Sequence, residues 1–141
     1  MDRRDFVYLG LVGVGGSVIA PRMVIANMPD NPMAGGVYYT KGAPGRWSKK
    51  VGGHLPSIEL NKAGEEISVQ VVTGHEMKGY EHYIIKHQLL DKNFAFLDEH
   101  MFDPIKDKSP ISTFSLTAYS GPLYAISMCN KHDTWLNVIE V

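Results

Sequence analysis

Beyond Val37 the apolar residues fall in short bursts with a period of two. Ile67, Val69 and Val71 alternate with Glu66, Ser68 and Gln70. Phe94 and Phe96 alternate with Asn93 and Ala95, and Phe114, Leu116 and Ala118 with Ser115 and Thr117. Residues 123–128 and 135–141 are two further runs rich in β-formers. Side chains two apart share one face of a strand, so the pattern predicts half-buried strands. Turn chemistry separates the runs, at Asn61-Lys62-Ala63-Gly64, Asp103-Pro104, Ser109-Pro110 and Gly121-Pro122. No window offers a long amphipathic helix. About seven short strands at this spacing predict an all-β sandwich or barrel.

A chain of 141 residues with 44% hydrophobic and 21% charged residues has room for one folded domain and the apolar content to build it. We place that domain over residues 37–141. Residues 27–36, with Pro29, Pro32, Gly35 and Gly36, read as a linker. The net charge of -1 argues against nucleic acid as a partner, since phosphate binding needs a basic excess. The single cysteine rules out an intrachain disulfide framework and any Cys-x-x-Cys metal centre.

Residues 1–26 read as an export signal. Arg3-Arg4-Asp5-Phe6 followed by an uncharged, Gly-rich run is the twin-arginine pattern. The run over residues 6–21 is shorter than the roughly 20 apolar residues of a spanning helix. Val24-Ile25-Ala26 offers a small-residue cleavage site. Left uncut, the segment would anchor the protein to the membrane. Its removal takes three Arg and two Asp and leaves a net charge of -2. Twin-arginine systems carry folded proteins, often ones whose cofactor is inserted before export. The expected location is therefore the periplasm or an equivalent exported space.

Four histidines and the cysteine form three clusters: His54 before Leu55-Pro56, His75 and His82 around Glu76-Met77-Lys78-Gly79-Tyr80-Glu81, and Cys129-Asn130-Lys131-His132. Cys-x-x-His can place both side chains on one ion. His75 and His82 are seven apart, an odd separation that puts them on opposite faces of an unbroken strand. Gly79 lets the chain loop so that both converge. Four imidazoles and one thiolate exceed the four donors of structural zinc and suit five-coordinate iron. Glu76 does not complete the zinc-protease HExxH motif, which argues against hydrolysis.

Each cluster is unremarkable alone; their order is not. His54-Leu55-Pro56, then His75 and His82-Tyr83-Ile84, then Cys129-Asn130-Lys131-His132 resembles the superoxide reductase family, the neelaredoxin and desulfoferrodoxin iron domain, over about residues 48–141. The resemblance implies a seven-stranded immunoglobulin-like β-barrel. It implies mononuclear iron with His54, His75, His82 and His132 equatorial and Cys129 axial, opposite an open position. The implied reaction is one-electron reduction of superoxide, with uptake of two protons, to hydrogen peroxide. A one-iron form needs an external electron donor, and a homo-oligomer is expected.

Two departures from the family pattern surround the open face. The family usually carries Glu-Lys immediately before the first histidine, where this chain has Gly52-Gly53. The middle histidines also sit one residue farther apart. Lys49 or Lys50, or Lys78 in the longer loop, are candidates for the missing guide cation, and Glu76 or Glu81 for the missing carboxylate. All five also read as ordinary solvated side chains. His87 and His100 lie outside the motifs and receive no role. Trp47 and Trp135 read as packing residues, with Trp135 also placed to shield the sulfur. Asp133 stands where the family often has Gly, and a loop residue at positive φ tolerates Asp next after Gly. The alternative function is an iron-containing electron-transfer or redox-sensing protein that has lost superoxide reduction. A metal-free interaction module is disfavoured, because it has no need of Cys-x-x-His.

Overall fold

Among the described residues the chain forms seven antiparallel strands, and their hydrogen bonds divide them into two sheets. The computed structural model describes residues 31–141. The export signal expected over residues 1–26, and residues 27–30 of the expected linker, lie outside the described residues. One sheet has the order β1 (Ser57–Ala63), β2 (Glu66–Val72), β5 (Ile111–Thr117). The other has the order β4 (Phe96–Met101), β3 (Ile84–Leu90), β6 (Pro122–Cys129), β7 (Asp133–Glu140). The longest helix among the described residues is α1 (Val51–His54), a single turn. None is long and apolar enough to cross a membrane.

Alternation does in the structure what the sequence pattern requires. Ile67, Val69 and Val71 of β2 turn inward with Phe114 of β5 and meet Leu89, Leu123, Ala125 and Ile139 of the opposing sheet. Pro122 opens β6 after Gly121, whose φ of 106° closes the turn. Residues 33–38 form a turn in which the Gly35 N–H donates to Tyr38 O. Tyr39 then pairs in parallel with Trp135 on the β7 edge.

Two local expectations need correction. Phe94 and Phe96 are not inward residues of one strand. Asp91 Oδ1 accepts the Asn93 and Ala95 N–H groups, and Phe94 sits in the resulting turn at φ 65° with its ring on Tyr124. Both phenylalanines are exposed, and β4 starts only at Phe96. The break expected at Asn61 also comes later. Asn61 pairs with Ser68 and Ala63 with Glu66, so the hairpin loop is Gly64-Glu65, with Gly64 at φ 66°. Asn61 and Lys62 are exposed strand residues whose polarity imitates a turn.

Toward one end of the sandwich the apolar core gives way to a buried polar layer. Thr73 just past β2, His87 on β3, Ser112 on β5 and Ser127 on β6 are all buried. The His87 ring bonds Thr73 Oγ1 through Nε2 and Ser112 Oγ through Nδ1, each at 2.7 Å, and Thr73 Oγ1 bonds Ser127 Oγ at 2.8 Å. Burial pushes the His87 pKa down to about 3, with His100 across the strand pair adding a small repulsion. The native state therefore excludes a proton that the unfolded chain takes up below about pH 6.5. Stability from this group is complete above that pH and is lost as pH falls toward 3. Between pH 7 and pH 5 the loss is about 2 kcal/mol. Denaturant titrations at both pH values should show His87→Gln losing about that much less stability over the interval than the unaltered chain.

Candidate metal centre

Beyond the polar layer, four separate segments deliver five metal-binding side chains to one point. α1 ends on His54, and the His54 Nδ1–H donates to Lys50 O at 3.0 Å. His75 leaves the end of β2, and its Nδ1–H donates to Glu76 O. A carbonyl only accepts, so both rings carry their proton on Nδ1 and present a lone pair at Nε2. His82 closes the longer loop. Lys78 N–H donates to His82 O at 2.9 Å around a 3-10 turn, Gly79–Glu81, with Gly79 at φ 58°. That is the reversal expected of Gly79. Cys129 ends β6, and His132 follows in the hairpin before Asp133, which adopts φ 68°.

The donor atoms of these five residues all lie within 4.8 Å of one another. His82 Nε2 is 3.0 Å from His75 Nε2 and 3.2 Å from His132 Nδ1. Two nitrogens bound at right angles about 2.1 Å from one ion are about 3.0 Å apart. The rings form a closed square in the order His54, His75, His82, His132, with centroid separations of 4.7, 4.4, 5.0 and 4.8 Å along its sides. The His54–His82 diagonal is 6.3 Å. A tetrahedral set has no such diagonal, so the arrangement does not suit four-coordinate zinc. Cys129 Sγ lies 3.6 Å from His132 Nδ1 and 3.9 Å from His75 Nε2. It therefore touches both corners of the other diagonal.

Burial opposes protonation of His54, His82 and His132. The His54 pKa falls to about 4, chiefly from burial, with its three histidine neighbours adding repulsion. His82 and His132 are also held below the usual histidine range, burial being the largest cause for each. His54 Nε2 is buried and has no hydrogen-bond partner. An orphaned lone pair aimed at three other nitrogens and a sulfur is unfavourable unless a cation completes it. The donor set thus fits a single iron ion, borderline nitrogens with one soft sulfur.

The desulfoferrodoxin family model matches residues 46–138. The chain belongs to the desulfoferrodoxin family. Among its relatives, the superoxide reductase of Thermococcus kodakarensis is 33% identical over 101 residues, covering 62% of this chain and 86% of that protein. The superoxide reductase of Pyrococcus abyssi is 31% identical over 100 residues, with the same coverage. The solved superoxide reductase (neelaredoxin) of Ignicoccus hospitalis superimposes with a TM-score of 0.63 at 31% identity, covering 76% of this chain and 95% of that one. The two-sheet, seven-stranded architecture matches the immunoglobulin-like barrel expected of this desulfoferrodoxin chain.

Several supporting residues were not evident from the motifs. Trp47 does more than pack. Its ring meets His132 edge-on at 4.7 Å, and its Nε1–H donates to Asp133 Oδ2 at 2.8 Å. Arg46 binds the same oxygen at 2.8 Å and lies over the Trp47 ring. The Trp47 bond and the Arg46 bond hold Asp133 below the usual carboxylate range. Trp135 packs against His54 and Tyr39, and its Nε1–H donates to His132 O. Of the candidate guide lysines, Lys78 is paired with Glu76 at 3.4 Å. Lys50 carries the carbonyl that orients His54, and its charge opposes protonation of His132. The exposed His100 packs against Phe102, outside the cluster.

Asn130 joins the two loops of the centre. It accepts from Tyr83 N–H at 2.9 Å and donates to Glu81 O at 3.0 Å and Tyr80 O at 3.3 Å. Removing it frees the turn that carries His82. Asn130→Ala should cost about 1–2 kcal/mol, in line with the loss of partly exposed hydrogen bonds. Hydrogen exchange should quicken over residues 78–83, while the amides of the β2–β5 pair keep their protection.

Proposed function

We propose that this chain, a superoxide reductase-like oxidoreductase by family, is exported and reduces superoxide at an iron held by His54, His75, His82, His132 and Cys129. The carrying observation is the square of four imidazoles with a cysteine sulfur against two of its corners, one buried nitrogen having no other partner. Bound there, iron supplies a one-electron couple by which superoxide, taking up two protons, becomes hydrogen peroxide. An external donor returns the electron. The Arg3-Arg4 pair supports export by the twin-arginine route after metal insertion.

The chain's own residues supply orientation and charge. Lys50 O and Glu76 O fix the tautomers of His54 and His75. The Lys131 N–H donates to Cys129 Sγ at 3.4 Å and draws electron density from the sulfur, which tunes the potential. Superoxide is a small anion, so cations at the rim raise its rate of capture. Lys50, whose charge acts on His132, is better placed for that task than Lys78, which is paired with Glu76. The same pairing occupies Glu76 as a replacement carboxylate.

Gly52-Gly53 is the observation that favours the second reading, electron transfer or redox sensing without superoxide reduction. The structure shows room to restore the missing pair. A Cβ at Gly52 meets nothing within 4 Å, and one at Gly53 lies 3.5 Å from Gly74 O, an ordinary contact. Pulse radiolysis of the ferrous protein should show superoxide-dependent iron oxidation in the unaltered chain. Gly52→Glu with Gly53→Lys should capture superoxide faster and with steeper salt dependence, because steering grows with local charge. Absence of any superoxide-dependent oxidation in the unaltered chain would leave the electron-transfer or sensor reading.

A further inference from the structure

The inward-facing residues change character in register on four strands. β2 carries Val69 and Val71, and the chain past its end continues with Thr73 and His75. β6 runs Leu123, Ala125, then Ser127 and Cys129. β3 runs back from Leu89 to His87 and, past a bulge, to Ile84, which packs on Cys129. β5 runs back from Phe114 to Ser112. Each row passes from apolar core to a hydroxyl or imidazole. Next come His75, beyond the end of β2, and Cys129, the last residue of β6, and both are metal donors. The polar layer is therefore the floor on which the donor set stands.

We propose that His87 is a positioning residue of the metal centre, clasping the two sheets beneath it and so setting the separation of His75 from Cys129. This inference rests on the iron reading above and adds a residue that touches none of the five donors.

The geometry of the clasp supports it. His87 stands on one sheet, and both of its ring nitrogens bond side chains of the other, Thr73 and Ser112. Thr73 bonds back to Ser127, the cross-strand partner of His87 on its own sheet. Two members stand two residues before a donor: Thr73 before His75, and Ser127 before Cys129. Either neutral tautomer satisfies the ring, because each hydroxyl can donate or accept. A fully satisfied buried network rigidifies what it joins. The apolar cluster beyond the layer holds only Ile84, Phe102, Cys129 and the partly buried Met77. The clasp therefore joins the two sheets at this level by polar bonds, beside the buried Trp135, the register partner of Ser127.

His87→Leu keeps bulk and removes the bonds to the Thr73 and Ser112 hydroxyls; His87→Gln keeps a donor and an acceptor. Loss of groups that orient metal ligands costs on the order of tenfold or more in metal affinity. Transfer of ferrous iron from His87→Leu to a chelator should be about tenfold faster than from the unaltered protein. The thiolate-to-iron(III) charge-transfer band of the oxidised protein should shift and broaden, and His87→Gln should restore most of both. Thr73→Val and Ser127→Ala, which preserve shape, should move the band the same way, and they decide the matter if His87→Leu does not fold. An unchanged band and unchanged release rate in folded variants would overturn the inference, even with lowered global stability. Failure of the unaltered chain to bind iron or show the band would instead overturn the reading on which it rests.

Discussion

The centre depends on aiming lone pairs, not on gathering histidines. A neutral imidazole has one N–H and one lone pair, and nothing in its covalent structure says which nitrogen carries which. Here the backbone decides for two of the four. Lys50 O takes the His54 Nδ1–H and Glu76 O takes that of His75. The opposite nitrogens must then face inward as acceptors. The His54 Nε2, buried and unpartnered, is the residue of that constraint. Much of the local chain conformation serves it: the one-turn helix α1 and the left-handed Gly79.

Shape then selects the chemistry. Four rings at the corners of a square, with a sulfur against two of those corners, offer five donors, one more than a closed tetrahedral site uses. Family membership and geometry agree on a redox-active iron. The two glycines before His54 are where this chain stands apart. They leave no side-chain bulk or charge immediately before the first histidine.

Much of this was legible in the sequence, and the rest was hidden for identifiable reasons. The five donors stand in three compact motifs, so their types and order survive without any tertiary information. The alternation in β2 is clean because one face is core and the other solvent. β1 escaped because Ile58 is its one fully buried residue and its far half is exposed and polar. Phe94 misled because an Asx turn, set by the Asp91 side chain, overrides the alternation of its neighbours. The bonds of Arg46 and Trp47 to Asp133 span more than 80 residues, and no spacing rule reaches that far. His87 looked idle because its partners come from three other segments, and only the folded sandwich places them together.

The central claim is that one iron ion is bound by four imidazole nitrogens and one cysteine sulfur. Iron K-edge X-ray absorption of the purified protein tests it most directly. The account predicts a scattering shell of four nitrogen donors bearing the outer-shell signature of imidazole rings, together with one sulfur. Substituting Cys129→Ser should remove the sulfur shell alone. A tetrahedral environment, a spectrum without sulfur in the unaltered protein, or a sulfur shell that survives the substitution would contradict it.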